Sequence, residues 1–154
     1  MDEGEMDINK VPPQMREMYM KLNYEGGCEA ANKCLEITNE LLNSKDYDKM
    51  ATLMQNKEYY DSYMVVSSVL TMFKKYQPGG ALLQKIMQNN YEGIVDTFKT
   101  LDPECKVLVA KNFEVIILQQ NLVYVSQMKG QNMDQIEMTF KPMKDLLETL
   151  KKNL

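Results

Sequence analysis

Side chains suited to chemistry are scarce in this sequence. Cys28, Cys34 and Cys105 are its three thiols, and it contains no histidine. Without an imidazole there is no Ser-His or Cys-His nucleophile system, and no side chain whose ordinary pKa suits proton transfer near neutral pH. An odd number of cysteines with no CxxC spacing argues against a disulfide framework and against zinc. The thiols therefore read as reduced, buried and small. Asp46 and Asp48 resemble the opening of a calcium loop, but no glycine or closing glutamate stands at the required spacing. Catalysis would have to rest on carboxylates, lysine or tyrosine alone, so the expectation is a non-catalytic protein with no catalytic residue, no metal and no cofactor.

The charged residues narrow the partners. Arg16 is the one arginine among 18 basic residues, which face 22 acids for a formal net charge of -4 and a pI near 5.0. Nucleic-acid readers lean on arginine forks and on a basic face that releases counterions, so nucleic acid is not an expected partner. What stands out instead is 14 methionines against 4 phenylalanines and no tryptophan. Methionine is flexible and polarizable, and a set of them suits a cavity or groove that adapts to apolar ligands; the plainer use is core filling. Lys74 and Lys75, with Tyr76, stand where a helix meets a Pro-Gly-Gly turn. There they suit a carboxylate head group or a partner's acidic segment, and equally the ordinary role of complementing a helix dipole.

These residues must be positioned by helices. Residues 1–10 form an acidic stretch that reads as a flexible tail, and Val11-Pro12-Pro13 leads into a short helix over 14–22. Gly26-Gly27 predicts a break before a second helix over 28–42, with Ala31, Leu35 and Leu42 on one side. A turn at 43–46 precedes a third helix over 47–55. In the fourth, Tyr59, Tyr63, Val66, Leu70 and Phe73 recur at helical spacing, with Val65, Val69, Met72 and Tyr76 as a second row. Gln77-Pro78-Gly79-Gly80 is expected to end it sharply. Residues 81–98 restart with Leu83, Met87, Ile94 and Phe98 facing inward, and Asn89-Asn90 and Gly93 predict a bend or a division into two short helices. Asp102-Pro103-Glu104 is a strong helix start, an N-cap followed by proline and an acid. The helix it opens, 103–128, is apolar nearly all round and is expected to be central. Gly130 is placed to stop it. A last amphipathic helix carries Met133, Ile136, Phe140, Met143, Leu147 and Leu150 as its stripe, with Pro142 expected to kink or divide it.

The fold expected is all-α, a single domain over 11–154 built as a bundle of about six or seven helices around helix 103–128. A chain of 154 residues removes roughly two thirds of its extended surface from water, which is enough for one core. The longest apolar run, near Val115 to Leu118, is too short to span a bilayer. With an acidic start unlike a signal peptide, the reading is an intracellular protein, cytoplasmic or nuclear.

Three stretches together resemble the nematode fatty-acid- and retinol-binding proteins. They are Val11 through Leu22, similar to that family's opening segment; Leu101-Asp102-Pro103-Glu104-Cys105-Lys106, similar to its Leu-Ser-Pro-Glu-Ala-Lys helix start; and Gly130 through Lys151, a glycine followed by a lysine-bearing amphipathic helix. The resemblance implies non-covalent carriage of a fatty acid or retinoid between helices, in an intracellular, divergent member richer in Met, Asn and Gln than the family. A second resemblance, over residues 28–98 and especially Ser67 to Tyr76, is to the helical integrase-binding and elongation-factor amino-terminal domains, and Asp102-Pro103-Glu104 resembles HEAT-type helix starts. It implies a protein-protein adaptor that docks a partner peptide or helix in an apolar groove, with Tyr76 and the Pro-Gly-Gly turn as docking loop. The candidate ligand-binding residues are Met72, Phe73, Leu83, Ile86, Phe113, Ile116, Lys74, Lys75 and Tyr76.

Overall fold

A computed structural model describes residues 8–154. Seven α-helices and three short 3₁₀ turns occur among the described residues, with no strand. The helices are α1 Pro13–Ser44, α2 Tyr47–Ala51, α3 Lys57–Met72, α4 Gln77–Met87, α5 Ile94–Lys99, α6 Pro103–Met128 and α7 Met133–Lys152. The all-α bundle follows from the helical periodicity of the sequence. Of the expected acidic tail, residues 1–7 lie outside the described residues. Ile8–Lys10 is a 3₁₀ turn held by Arg16, whose Nη2 donates to the Asn9 and Val11 carbonyls.

α6 is the central element, as its composition demands. It packs against α1, α2, α3, α4 and α7. Leu108, Val109, Phe113, Val115, Ile117 and Leu122 are all buried along it, a distribution that leaves no polar face. Its start combines Pro103 in the first turn with Glu104 near the positive end of the dipole. Asp102 departs from expectation: its backbone takes the extended cap conformation, but its side chain makes no capping bond. At the other end Lys129 and Gly130 both turn left-handed, and Gly130 N–H donates to the Val125 carbonyl at 3.2 Å, which satisfies an orphan carbonyl.

Two expected breaks are not breaks. Gly26 and Gly27 sit inside a continuous 32-residue α1. A Cβ on Gly27 would lie 2.9 Å from Leu108 Cδ2 and 3.4 Å from Val69 Cγ2, so this glycine lets α1 close on α6 and α3 and the contact offsets its poor helix propensity. Likewise Gln77-Pro78-Gly79-Gly80 opens α4 rather than closing α3. α3 has already ended at Met72, Phe73 is extended, and proline is well suited to a first helical turn. A Cβ on Gly79 would meet Val109 Cγ2 at 2.8 Å and Cys105 Sγ at 2.9 Å.

The expected third helix stops at Ala51 and continues as a 3₁₀ turn, Leu53–Gln55. Asp46 caps α2, accepting from Lys49 N–H at 3.1 Å, and Asn56 caps α3, accepting from Tyr59 N–H at 3.2 Å. Residues 81–98 divide into the end of α4 and α5, with Asn89 and Gly93 left-handed between them. α7 stays undivided across Pro142, which lies on its exposed face.

The inward faces depart from expectation more than the helices do. Val65, Met72, Met87 and Met133 are exposed instead of buried. Most of the methionines are in fact on the surface: Met50 and Met143 are buried, whereas Met15, Met18, Met54, Met64, Met72, Met87, Met128, Met133 and Met138 are exposed. Helical spacing identifies a sector of apolar residues, not which part of a wide sector meets a neighbour.

Candidate functional site

The candidate binding residues do not share one surface. Phe73, Tyr76, Ile86 and Phe113 are buried in the main core, and Tyr76, Ile86 and Phe113 have no exposed surface. Met72 is exposed and faces away from them. Lys75 is tied down: its Nζ lies 3.1 Å from Glu104 Oε2 and 5.8 Å from the centre of the Tyr76 ring. The Tyr76 hydroxyl also reaches Glu104 Oε2, at 3.4 Å. Burial first, and then the Glu104 carboxylate, push the Tyr76 phenol well above its ordinary value. Lys74 is exposed, in the 3₁₀ turn Lys74–Tyr76. Since Pro78–Gly80 form the first turn of α4 and Tyr76 is enclosed, this stretch contains no projecting docking loop.

The thiols are not arranged for reactivity. Burial pushes Cys34 and Cys105 up to about 11, the latter despite a bond with the Gly79 backbone that works the other way. Half-buried Cys28 is raised too, chiefly by burial, against the lowering effects of a Tyr24 hydrogen bond and of Lys111. Reactive cysteines show the opposite shift. Among the described residues no group of three cysteines or acids is gathered as a metal site, and no helix is long and apolar enough to cross a membrane.

Leu83 and Ile116 do come together, at the base of an open groove. Its walls are Tyr63, Ser67, Leu70 and Thr71 of α3, Gly80, Leu83, Gln84 and Met87 of α4, and Asn112 and Ile116 of α6, around about 130 Å³. Past Tyr63, Met87 and Ile116 the groove continues along α6 over Gln119, Gln120, Val123 and Tyr124, adding about 290 Å³. Neither part is lined by a charged residue.

Each wall has a local cause. Asn112, buried in the middle of α6, donates from Nδ2 to the Val66 carbonyl at 3.0 Å and so pins α6 to α3 beneath the groove. A Cβ on Gly80 would lie 3.1 Å from the Leu70 carbonyl, so α4 crosses α3 at close range there. Tyr63 stacks on Tyr59 with ring centres 6.1 Å apart, and Tyr124 meets Phe140 of α7 edge-on at 5.4 Å. The Tyr59 hydroxyl is buried with no hydrogen-bond partner, and burial holds its pKa far above the ordinary range. At the outer end Gln119 Nε2 contacts Met54 Sδ at 3.1 Å.

The groove is therefore rigid below and apolar at its mouth. Met87, Val123 and Tyr124 keep 53%, 40% and 43% of their surface exposed. Both parts are open to solvent, whereas a small-ligand pocket encloses most of its ligand's surface. The sequence points to an apolar groove and to Leu83 and Ile116, but not to the rest of the lining. Gln84, Asn112, Gln119 and Gln120 are amides set into otherwise apolar helices, which does not by itself mark a groove.

Comparison with protein-family models, with curated proteins and with solved structures finds no match for this chain. The reading of function therefore rests on the residues and their geometry.

Proposed function

We propose that the chain is a helical protein-interaction module whose α3–α4–α6 groove docks an apolar, uncharged segment of a partner protein, most simply one face of an amphipathic helix. The observation that carries this reading is the uncharged, open groove with Met87, Val123 and Tyr124 exposed along its length. Helix-in-groove recognition uses apolar anchors at i, i+3/i+4 and i+7, and flexible methionine at the rim adapts to them. The amides offer hydrogen bonds to a polar flank of the segment without selecting for charge. Carriage of a fatty acid or retinoid makes a different demand, because such a ligand is enclosed over most of its surface.

A randomised peptide library selected on the intact chain tests the proposal. Enriched peptides should carry apolar residues at helical spacing, and their binding should fall at least tenfold on combining Met87→Lys with Val123→Lys, both exposed positions that the fold tolerates. Peptides that bind that variant equally well would refute groove docking. Saturable binding of a dansylated fatty acid, with blue-shifted emission displaced by oleate, would replace it with the carrier reading.

A further inference from the structure

Asn112 is the polar side chain of the α3–α4–α6 groove that is held in one orientation. The residue is 2% exposed, and its Nδ2 donates to the Val66 carbonyl of α3 at 3.0 Å. That carbonyl can take only the N–H end of the amide, so the free end is Oδ1. Among the described residues no donor reaches this oxygen. Nor is it sealed in, since the side-chain N and O atoms that are both enclosed and unpaired there are Arg16 Nε and the Tyr59 hydroxyl. Asn112 lines the groove beside Leu83 and Ile116, and the groove is the opening onto which its oxygen faces.

The other amides of the groove differ. Gln84 is exposed, and Gln119 and Gln120 are half-buried, so each can turn either end to water. Local structure gives no reason for an amide at 112. Asparagine is among the weaker helix formers, and Val109, Phe113 and Ile116 already hold this stretch of α6 by apolar burial.

We propose that Asn112 Oδ1 is the specificity-determining acceptor of the groove, and that the docked segment is an apolar helix carrying one uncharged N–H or O–H donor at one end of its apolar row. The proposal rests on the reading of the groove as a docking site and names what that site selects. A docked helix shuts the groove off from water, and an acceptor left unpaired there weakens binding more than a typical hydrogen bond adds. A lysine or arginine donor fits badly, because no charged residue lines either part of the groove and the cation would be desolvated without a partner. Side chains of Asn, Gln, Thr, Tyr or Trp supply the donor without that cost. Its place in the segment follows from α6, along which Asn112, Ile116 and Val123 line the groove in turn. Asn112 stands at one end of this line, about 16 Å from Val123 at the helical rise. The donor therefore lies about three turns from the residue that packs on Val123 and Tyr124, with apolar anchors between.

Peptides that differ by the donor alone test this. Library peptides that bind the intact chain, and are lost on combining Met87→Lys with Val123→Lys, should share one uncharged donor at an end of the apolar row. Replacing it by the nearest non-donor (Gln by Met, Asn by Leu, Thr by Val, Tyr by Phe, Trp by 1-methyltryptophan) should weaken binding about tenfold or more in fluorescence anisotropy. Asn112→Leu removes the acceptor, so that variant should bind both peptides alike or prefer the non-donor. A residue that only pinned α6 to α3 would instead weaken both in the same ratio and keep the difference between them. Should Asn112→Leu lose its helical circular dichroism, the peptide pair on the unaltered chain decides alone. Groove-dependent peptides with no shared donor, a non-donor peptide that binds the unaltered chain as tightly, or a tenfold difference that persists in folded Asn112→Leu would each overturn the proposal and leave groove docking standing. Peptides indifferent to the Met87→Lys and Val123→Lys pair would remove groove docking itself, and this proposal with it.

Discussion

A methyl group added to Gly27 would press on Leu108 and Val69, whereas one added to the adjacent Gly26 would meet open space. The two glycines are therefore opposite instruments for testing the fold. Alanine improves helix propensity by about 1 kcal/mol at either site, but at Gly27 it must also displace two packed side chains, at a cost of about 1–3 kcal/mol. In urea titrations Gly26→Ala should raise the midpoint and Gly27→Ala should lower it. Equal shifts would show that α1 is not seated on α6 and α3 as described. Asn112 illustrates the same point with a polar group, because its amide is tolerated in the core through its bond to the Val66 carbonyl.

Single elements show where a rule about sequence meets its limit. Pro142 occupies the interior of α7, yet the helix runs on from Met133 to Lys152. Ile136, Phe140, Met143, Leu147 and Leu150 hold it to the bundle on both sides of the proline, and the carbonyl that loses its donor belongs to Met138, a 74% exposed residue that water reaches. Pro142→Ala should therefore stabilise the protein by about 1–3 kcal/mol, read from its thermal unfolding midpoint, without changing helix content; an unchanged midpoint would mean that the proline causes no loss there. The boundaries of α6 were legible because Pro103, Glu104 and Gly130 act within one turn of themselves. The continuity of α1 was not, because Gly27 is justified by Leu108 and Val69, far away in sequence. Pro78-Gly79-Gly80 fits the end of one helix and the start of the next equally well, and only the extended Phe73 decides between them. The groove was half legible for the same reason. Apolar character marks Leu83 and Ile116, but a site assembled from three helices depends on crossings that no one segment encodes, and so Tyr63 reads only as part of a core stripe, while Tyr124 and the amides carry no signal of their own.

For the molecule as a whole, burial of weak acids couples stability to alkaline pH. Cys34 and Cys105 are pushed up to about 11 from an ordinary value of 9.0, and Tyr59 and Tyr76 are raised from 10.0. Below pH 9 the thiols are protonated in both the folded and unfolded chain, and their contribution is fully present. Between pH 9 and 11 the unfolded chain releases those protons and the folded one holds them, so stability falls as pH rises, by up to about 1.4 kcal/mol per thiol per pH unit. Urea midpoints should hold steady from pH 7 to 8.5 and drop steeply by pH 10.5, with the two phenols extending the decline. A flat profile would show that these groups are not enclosed. Enclosure on this scale depends on α6, which packs against α1, α2, α3, α4 and α7. That placement imposes an order on synthesis. A ribosome builds α1 through α5 before the first residue of α6 exists, so the inner faces of α1, α3 and α4 wait in water for the helix that will cover them. Until Met128 has emerged the nascent chain presents its apolar surfaces to whatever is nearby, and chaperones that shield such surfaces during translation would find their window here.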